Sequence, residues 1–276
     1  MRDERILREL ELLPLARLVG LAGSPVVPAD VDAKGAEPSR PAQPSHRTGD
    51  DRTDRSGGNP EGEPREARPV RPTREPAVPF QPAALAEGIA TMDWERLERA
   101  VRDCRACRLC EQRRQAVFGV GHRQAPWLFV GEGPGAEEDE RGEPFVGQAG
   151  KLLDAMLAAT GLERGREVYI ANVVKCRPPG NRVPEPAESA ACAAFLDRQV
   201  ELIAPKLIVA LGKTAATRLT GHEGSLAGLR GRVHAYRGIP LVVTYHPAYL
   251  LRNLPDKAKA WEDLLLARRT LAGATA

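Results

Sequence analysis

WLFVGEGPGAEED at residues 127–139 joins an uninterrupted apolar run to a glycine-rich turn and an acidic segment. The apolar run predicts a buried strand, and the apolar pattern at 152–157 predicts a helix that ends at Gly161. Open α/β sheets place their ligands at such turns, beyond the carboxyl end of a strand. This stretch therefore predicts both a layered α/β fold and the location of a binding site.

Three further apolar runs predict buried parallel strands, at residues 168–174, 207–211 and 241–245. Helical patterns separate them, at residues 150–160, 187–203 and 213–220. Near-continuous apolar strands that alternate with helices are typical of α/β proteins. We therefore expect a three-layer α/β/α sandwich around a central, mainly parallel four-stranded sheet.

The glycine-rich turn formally matches the fingerprint of dinucleotide-binding proteins, but two features oppose a nucleotide cofactor. Pro134 has no N–H to donate to a pyrophosphate, and the acidic run at 137–140 would repel one. A tight turn with a solvated acidic loop is the simpler alternative. Phe145, which follows a proline in the next loop, is expected to present an exposed aromatic face.

The chain before the α/β pattern has a different composition. Residues 23–87 are rich in proline and arginine, and no Leu, Ile, Met, Phe, Trp or Tyr occurs between Ala29 and Ala77. Such a segment cannot bury enough apolar surface to offset the entropy of ordering it. We predict a disordered linker at 23–87, a short amphipathic helix within 1–22 and a folded domain at 88–276. The helix could dock a protein partner or pack weakly on its own protein.

Length, charge and hydropathy restrict the partners only loosely. The chain has 276 residues and a formal net charge of +3, which permits nucleic acid as a partner without requiring it. No apolar signal core follows the N-terminal MRDER, and no apolar run reaches the roughly 18 residues of a membrane helix. We expect a cytoplasmic monomer with no membrane association.

The five cysteines form a pattern that is typical of metal sites. Cys104, Cys107 and Cys110 have CxxCxxC spacing after a predicted helix at 93–101, and Cys176 and Cys192 follow at a distance. Four thiolates could hold zinc in a tetrahedron, or an iron–sulfur cluster. The spacing alone does not separate these two, and it leaves free buried thiols as a third alternative.

Basic residues near strand ends suggest contacts with a phosphate backbone. The proline-rich loop at 176–192 carries Arg177 and Arg182, and could lie along such a backbone. Gly212-Lys213-Thr214 resembles the end of a P-loop, but Leu207 stands where its first glycine would be needed. The turn at Lys213 could meet a single DNA phosphate at a helix N-terminus, or be a plain turn.

The segment HPAYLLR at 246–252 leaves the end of the last predicted strand. His246 therefore lies at the same sheet edge as the glycine-rich turn, and we expect it to be functional. Leu250 and Leu251, beside Arg252, are expected to be exposed and to act as a wedge.

Together these segments resemble family-four uracil-DNA glycosylases, the iron–sulfur type found in bacteria and archaea. The resemblance covers roughly residues 93–265 and is carried by GEGPG at 131–135, EPFVG at 143–147, NVVKCRPP at 172–179 and HPAY at 246–249. It implies a bacterial protein that acts on DNA at the nucleoid.

The resemblance also implies the ligands of a structural 4Fe-4S cluster. They would be Cys104, Cys107, Cys176 and Cys192, and Cys110 falls outside this set.

The reaction that the resemblance implies takes place on a flipped base, in single- or double-stranded DNA. Leu250 or Leu251 would fill the gap that deoxyuridine leaves in the stack. Phe145 would stack on the uracil, and Asn172 would pair with its Watson–Crick edge. Hydrolysis of the N-glycosidic bond would release uracil and leave an abasic site, the first step of base excision repair.

The chemistry would fall to a donor and a carboxylate. His246 and the backbone N–H groups of Gly131, Glu132 and Gly133 would donate to the departing uracil anion. Glu132 or Glu138 would stabilise the cationic sugar and orient water, and the sequence does not rank these two.

Alternatives of other classes are a catalytically silent iron–sulfur module associated with a polymerase, and a glycosylase for another deaminated base such as hypoxanthine. A related iron–sulfur group traps DNA covalently through a histidine that follows the cluster loop. No histidine lies between Cys176 and Cys192, so we expect turnover by a monofunctional enzyme.

Overall fold

The computed structural model describes residues 82–274. The amphipathic helix predicted within 1–22 and most of the predicted linker lie outside these residues. Helix α1 (Pro82–Ala90) begins before residue 88, where the folded domain is predicted to start, and buries Ile89 in the core.

The sheet has six strands within the described residues, in the order β1-β3-β2-β4-β6-β5. Their bounds are β1 (Val120–Gly121), β2 (Trp127–Gly131), β3 (Val168–Asn172), β4 (Leu207–Leu211), β5 (Val233–Tyr236) and β6 (Ile239–Thr244). The central strands β3, β2, β4 and β6 are mutually parallel, as predicted. Strands β2, β3 and β4 are buried along their whole length, which is why each is a continuous apolar run.

The two edge strands are antiparallel and correct the predicted strand number of four. Strand β1 has two residues, and β5 alternates exposed and half-buried positions, so neither has an apolar run. Strands β5 and β6 are joined through Arg237 and Gly238, which both have positive φ, as tight hairpin turns require.

Helices cover both faces of the sheet. After α1 they are α2 (Trp94–Asp103), α3 (Ala136–Arg141), α4 (Gln148–Ala159), α5 (Pro186–Ile203), α6 (Lys213–Thr220), α7 (Leu226–Leu229), α8 (Pro247–Leu250) and α9 (Lys257–Ala274). The helices predicted at 150–160, 187–203 and 213–220 correspond to α4, α5 and α6. No helix in the described part of the chain is long and apolar enough to cross a membrane.

Side chains that alternate along the strands pack in two separate hydrophobic clusters. Leu128 and Val130 of β2 pack in one cluster with residues of α1, α2, α5 and α6. Trp127 and Phe129 of the same strand pack in the other cluster with residues of α4 and α9. The predicted three-layer α/β/α architecture is therefore confirmed.

The parallel register brings the functional segments to one edge. Gly131 at the end of β2 lies opposite Asn172 at the end of β3, and Leu211 of β4 lies opposite Thr244 of β6. The turns that follow these four residues therefore emerge side by side, at the carboxyl end of the sheet.

Candidate active site and thiol pocket

A cavity of about 480 Å³ opens at the carboxyl edge of the sheet. Every parallel strand end contributes to its wall, which explains how segments distant in sequence meet. The predicted site residues that line it are Glu132, Gly133, Glu138, Phe145, Asn172, Arg182, Lys213, His246 and Arg252. Gly131, Arg177, Leu250 and Leu251 are not among the residues that form its wall.

Asn172 presents an unsatisfied acceptor at this cavity. Its side chain is buried, and within residues 82–274 its Oδ1 has no hydrogen-bond partner. A buried polar atom without a partner is costly, and it marks a position where a ligand can bind. Gly131 makes room for the amide, because a Cβ there would lie 2.4 Å from Asn172 Oδ1 and 2.6 Å from Phe145 Cζ.

Phe145 is buried, so the expectation of an exposed aromatic face is wrong. Its backbone has a φ of 55°, a left-handed conformation that is costly for a phenylalanine. Arg164 holds this conformation by donating to the carbonyl oxygens of Pro144 and Phe145, each at 2.9 Å. Gly150 allows the close approach, since a Cβ there would lie 1.8 Å from the Phe145 oxygen.

His246 stacks on Phe145, with ring centroids 5.4 Å apart and planes inclined by 28°. Its Nδ1 accepts a hydrogen bond from the Ala248 N–H at 3.1 Å, which caps α8. A neutral imidazole with Nδ1 as acceptor carries its proton on Nε2. Burial, with a smaller effect of the Arg252 charge, lowers the pKa of His246 to about 4. His246 is therefore a neutral donor near pH 7.

The two candidate carboxylates have different surroundings. Glu138 accepts hydrogen bonds from the backbone N–H groups of Gly135 at 3.1 Å, Val146 at 2.9 Å and Gly147 at 3.1 Å. It thereby ties the glycine-rich turn to the Phe145 loop. Glu132 instead accepts a hydrogen bond from the Thr214 hydroxyl, across the cavity edge.

Of the two leucines that were predicted to act as a wedge, one lies in the core and the other on the surface. Leu250 is 1% exposed and packs in the core, so the expectation that it is exposed is wrong. The short helix α8 turns Leu250 inward and leaves Leu251 outward, 43% exposed.

The predicted DNA-contact residues differ in the protein contacts and the exposure of their side chains. Arg182 forms two hydrogen bonds to Glu188, at 2.8 Å and 2.7 Å, and Arg177 donates to Asn181 at 2.7 Å. Lys213 and Arg252 are exposed at the cavity.

Val183 and Tyr249 are among the cavity-wall residues that were not predicted as site residues. Val183 is 62% exposed, and its only sequence signal is an apolar side chain in a polar, proline-rich loop. Tyr249 stacks on Tyr245, with centroids 5.1 Å apart, and carries no such signal beyond its place in HPAY.

Four cysteines line a second, much smaller cavity. They are Cys104, Cys107, Cys176 and Cys192, and Cys110 is outside its wall. Burial raises the pKa of Cys176 to about 11 and of Cys192 to about 12. Between residues 82 and 274, no three His, Cys, Asp or Glu side chains are grouped as a site for a metal ion.

Two cationic side chains also line this thiol pocket. Arg113 donates a hydrogen bond to Cys176 Sγ at 2.8 Å. The buried Lys175 donates to the backbone oxygen of Asn172 at 2.9 Å and to Gln199. Buried cations require compensating negative charge, and thiolates bound to a metal group would supply it. The donor set therefore fits a group held by four thiolates.

Comparisons with known proteins agree with this geometry. A family model described as the Uracil DNA glycosylase superfamily matches residues 118–265. A type-4 uracil-DNA glycosylase of Thermotoga maritima is 48% identical over 149 residues, which are 53% of this chain and 77% of that protein.

Two archaeal relatives extend the match. The type-4 uracil-DNA glycosylase of Sulfurisphaera tokodaii is 46% identical over 169 residues, 58% of this chain and 76% of that protein. The type-4 uracil-DNA glycosylase of Pyrobaculum aerophilum is 40% identical over 183 residues, 63% of this chain and 93% of that protein.

Replacement of Gly131 by alanine should disable the cavity while the fold survives. The added methyl group would displace the Asn172 amide and the Phe145 ring, which both lie within 3 Å of its position. We expect release of uracil from an oligonucleotide to fall by about 100-fold, with little change in the melting temperature. Gly161→Ala is a poor control because of its positive φ, whereas Gly88→Ala adds a methyl group to open space. Wild-type rates for Gly131→Ala would show that the close packing is not needed.

His246 should stay neutral well below the usual range of histidine. An unperturbed imidazole is half protonated near pH 6.5, whereas the ring of His246 should reach half protonation only near pH 4. The unfolded chain therefore binds a proton below about pH 6.5 that the folded chain does not bind, and stability should decline from there towards pH 4. NMR of the assigned imidazole checks this, and a midpoint near 6.5 would contradict it.

Proposed function

Since the chain belongs to the type-4 uracil-DNA glycosylases of the uracil DNA glycosylase superfamily, we propose a specific course for its reaction. Deoxyuridine leaves the DNA stack, enters the 480 Å³ cavity and loses its base by hydrolysis of the N-glycosidic bond. Uracil is released, and an abasic site remains. The unpartnered Oδ1 of the buried Asn172 is the observation that carries this proposal.

Asn172 supports the choice of uracil. Its Oδ1 can accept the N3–H of uracil, and its amide N–H can donate to O4. Cytosine presents an unprotonated N3 and an amino group at these positions, so both contacts would pair like with like. A buried polar site of this kind discriminates strongly, because the wrong base leaves its groups unpaired.

His246 supports the departure of the base. As the N-glycosidic bond breaks, negative charge develops on the uracil and positive charge on the sugar. The neutral His246 can donate its Nε2–H to that developing negative charge, without first having to lose or gain a proton. Phe145 stacks on the same imidazole and forms an apolar wall for the uracil face.

Glu132 is the better supported of the two candidate carboxylates. Glu138 already accepts three backbone hydrogen bonds, which commit it to holding the loops together. Glu132 has one described partner, the Thr214 hydroxyl, and lines the cavity. We assign to Glu132 the stabilisation of the cationic sugar and the orientation of the attacking water.

Exposed residues at the cavity mouth support binding to DNA. Lys213 and Arg252 can meet phosphates, and Leu251 can fill the gap left by the flipped nucleotide. Leu250, Arg177 and Arg182 are less suited, since Leu250 is buried and both arginines already have protein partners. The substrate can then be single- or double-stranded DNA.

We propose a structural 4Fe-4S cluster in the thiol pocket. Cys104, Cys107, Cys176 and Cys192 would hold it, while Lys175 and Arg113 compensate its negative charge. When bound, the cluster contributes folding free energy and takes no part in turnover.

The cellular setting of the reaction also belongs to this proposal. We propose that the enzyme acts on bacterial DNA in the cytoplasm, where the abasic site would be the starting point for base excision repair. We propose a monomer, with a protein partner for the helix predicted within 1–22. The Asn172 and His246 geometry speaks against a silent DNA-binding module, because such a module has no use for it.

Asn172→Asp tests base recognition. The substitution replaces the amide donor by a carboxylate acceptor, so pairing with uracil O4 is lost. We expect release of uracil under single-turnover conditions to fall by about 10⁴-fold, with trace release of cytosine by the protonated form. Oligonucleotides that contain uracil, cytosine or hypoxanthine, in single and double strands, provide the measurement.

Gln124→Glu is the matched control for this test. Gln124 is exposed before β2 and is not part of the cavity wall, and its substitution makes the same change from amide to carboxylate. Its uracil release should stay close to wild type. Equal losses for both variants, or faster release of hypoxanthine than of uracil by the wild-type chain, would contradict the assigned role of Asn172.

The cluster is tested by metal analysis of protein purified without oxygen. We expect a brown protein with about four irons per chain. Cys176→Ser should lose iron and stability, since a bound metal group contributes folding free energy. Cys110→Ser should keep its colour, because Cys110 lies outside the pocket wall. Stoichiometric zinc without iron would contradict the assignment.

A further inference from the structure

Thr214 makes a contact that neither the sequence motifs nor the proposed mechanism requires. It lies in the first turn of α6, and its hydroxyl donates a hydrogen bond to Oε2 of Glu132, a residue 82 positions earlier in the chain. We propose that Thr214 is a positioning residue for Glu132: its hydroxyl fixes the glutamate rotamer so that the carboxylate is aimed at the cavity. This inference rests on the proposed function and identifies how its carboxylate is held.

A glutamate needs such support because three torsions separate its carboxylate from the backbone. Ordering them costs entropy, which a hydrogen bond to a rigid helix can offset. The donor stands on the first turn of α6, where the free N–H end of the helix also favours a negative charge. Oε2 is thereby occupied by Thr214, which leaves Oε1 of Glu132 for a water or a sugar atom in the cavity.

The same turn also contacts His246. Gly212, which precedes α6, has a φ of 88°, and a Cβ there would lie 3.0 Å from His246 Cβ. The turn therefore touches Glu132 through Thr214 and His246 through Gly212. One segment at the start of α6 therefore adjoins both groups that the proposed mechanism uses. The hydroxyl of Thr214 is thus committed to a protein carboxylate, and not to a DNA phosphate.

Thr214→Val removes the hydroxyl and keeps the shape of the side chain, whereas Thr214→Ser keeps the hydroxyl. Thr217→Val is the matched control, because the Thr217 hydroxyl is buried in the same helix without a partner in the described part of the chain. The single-turnover rate and the affinity for uracil-containing DNA are measured separately, with the melting temperature as the check on folding.

We expect Thr214→Val to lower the single-turnover rate by about 10- to 100-fold, with DNA affinity nearly unchanged. Thr214→Ser should restore most of the rate, and Thr217→Val should match the wild type. In a Glu132→Gln background, Thr214→Val should cause little further loss, since both changes act on one group. Thr214→Ala serves as the second variant if valine prevents folding.

A Thr214→Val rate close to wild type would overturn this inference alone, as would an equal loss in Thr214→Ser or full additivity with Glu132→Gln. Absence of uracil release by the wild-type chain would overturn the proposed function, and this inference with it.

Discussion

The site depends on close packing around Gly131, a residue that has no side chain. Gly131 lies opposite Asn172 in the sheet, and the space that its Cβ would need holds the Asn172 amide and the Phe145 ring. The in-register pairing of β2 with β3 places these groups at the carboxyl edge, and His246 then closes the stack on Phe145. Glycine at the end of this strand thus leaves room for the Asn172 amide and the Phe145 ring beside the cavity.

The backbone of Asn172 also connects the cavity to the thiol pocket. Lys175 donates to the backbone oxygen of Asn172, and the same buried side chain lines the pocket of the four cysteines. Asn172 ends β3, and Cys176 follows it shortly afterwards in the sequence. A group bound by the cysteines would stabilise the backbone that carries the amide.

The sequence was most informative where local pattern and burial coincide. The parallel strands are apolar runs because both faces are covered, whereas β1 and β5 lack this signal because edge strands are half exposed. Phe145 was expected on the surface because it follows a proline in a loop. Arg164 and Gly150, which contact its backbone oxygen, act through contacts that no local pattern reveals.

The same limit applies to individual roles in the site. Leu250 and Leu251 are adjacent and chemically identical, and only the turn of α8 decides which one faces the core. Glu132 and Glu138 could not be ranked until their hydrogen-bond donors were known. The motifs therefore predicted which segments meet at the cavity, and only long-range contacts distinguish the individual side chains within it.

Excision of uracil from DNA in this cavity is the activity on which all the proposed roles depend. Its most direct test is a single-turnover reaction of the full-length chain with an oligonucleotide that contains one deoxyuridine, in which the free base and the abasic site are both quantified. We expect one free uracil and one abasic site per oligonucleotide, and no release from matched oligonucleotides with thymine or cytosine. Tight binding of the same oligonucleotide without release of uracil would contradict it.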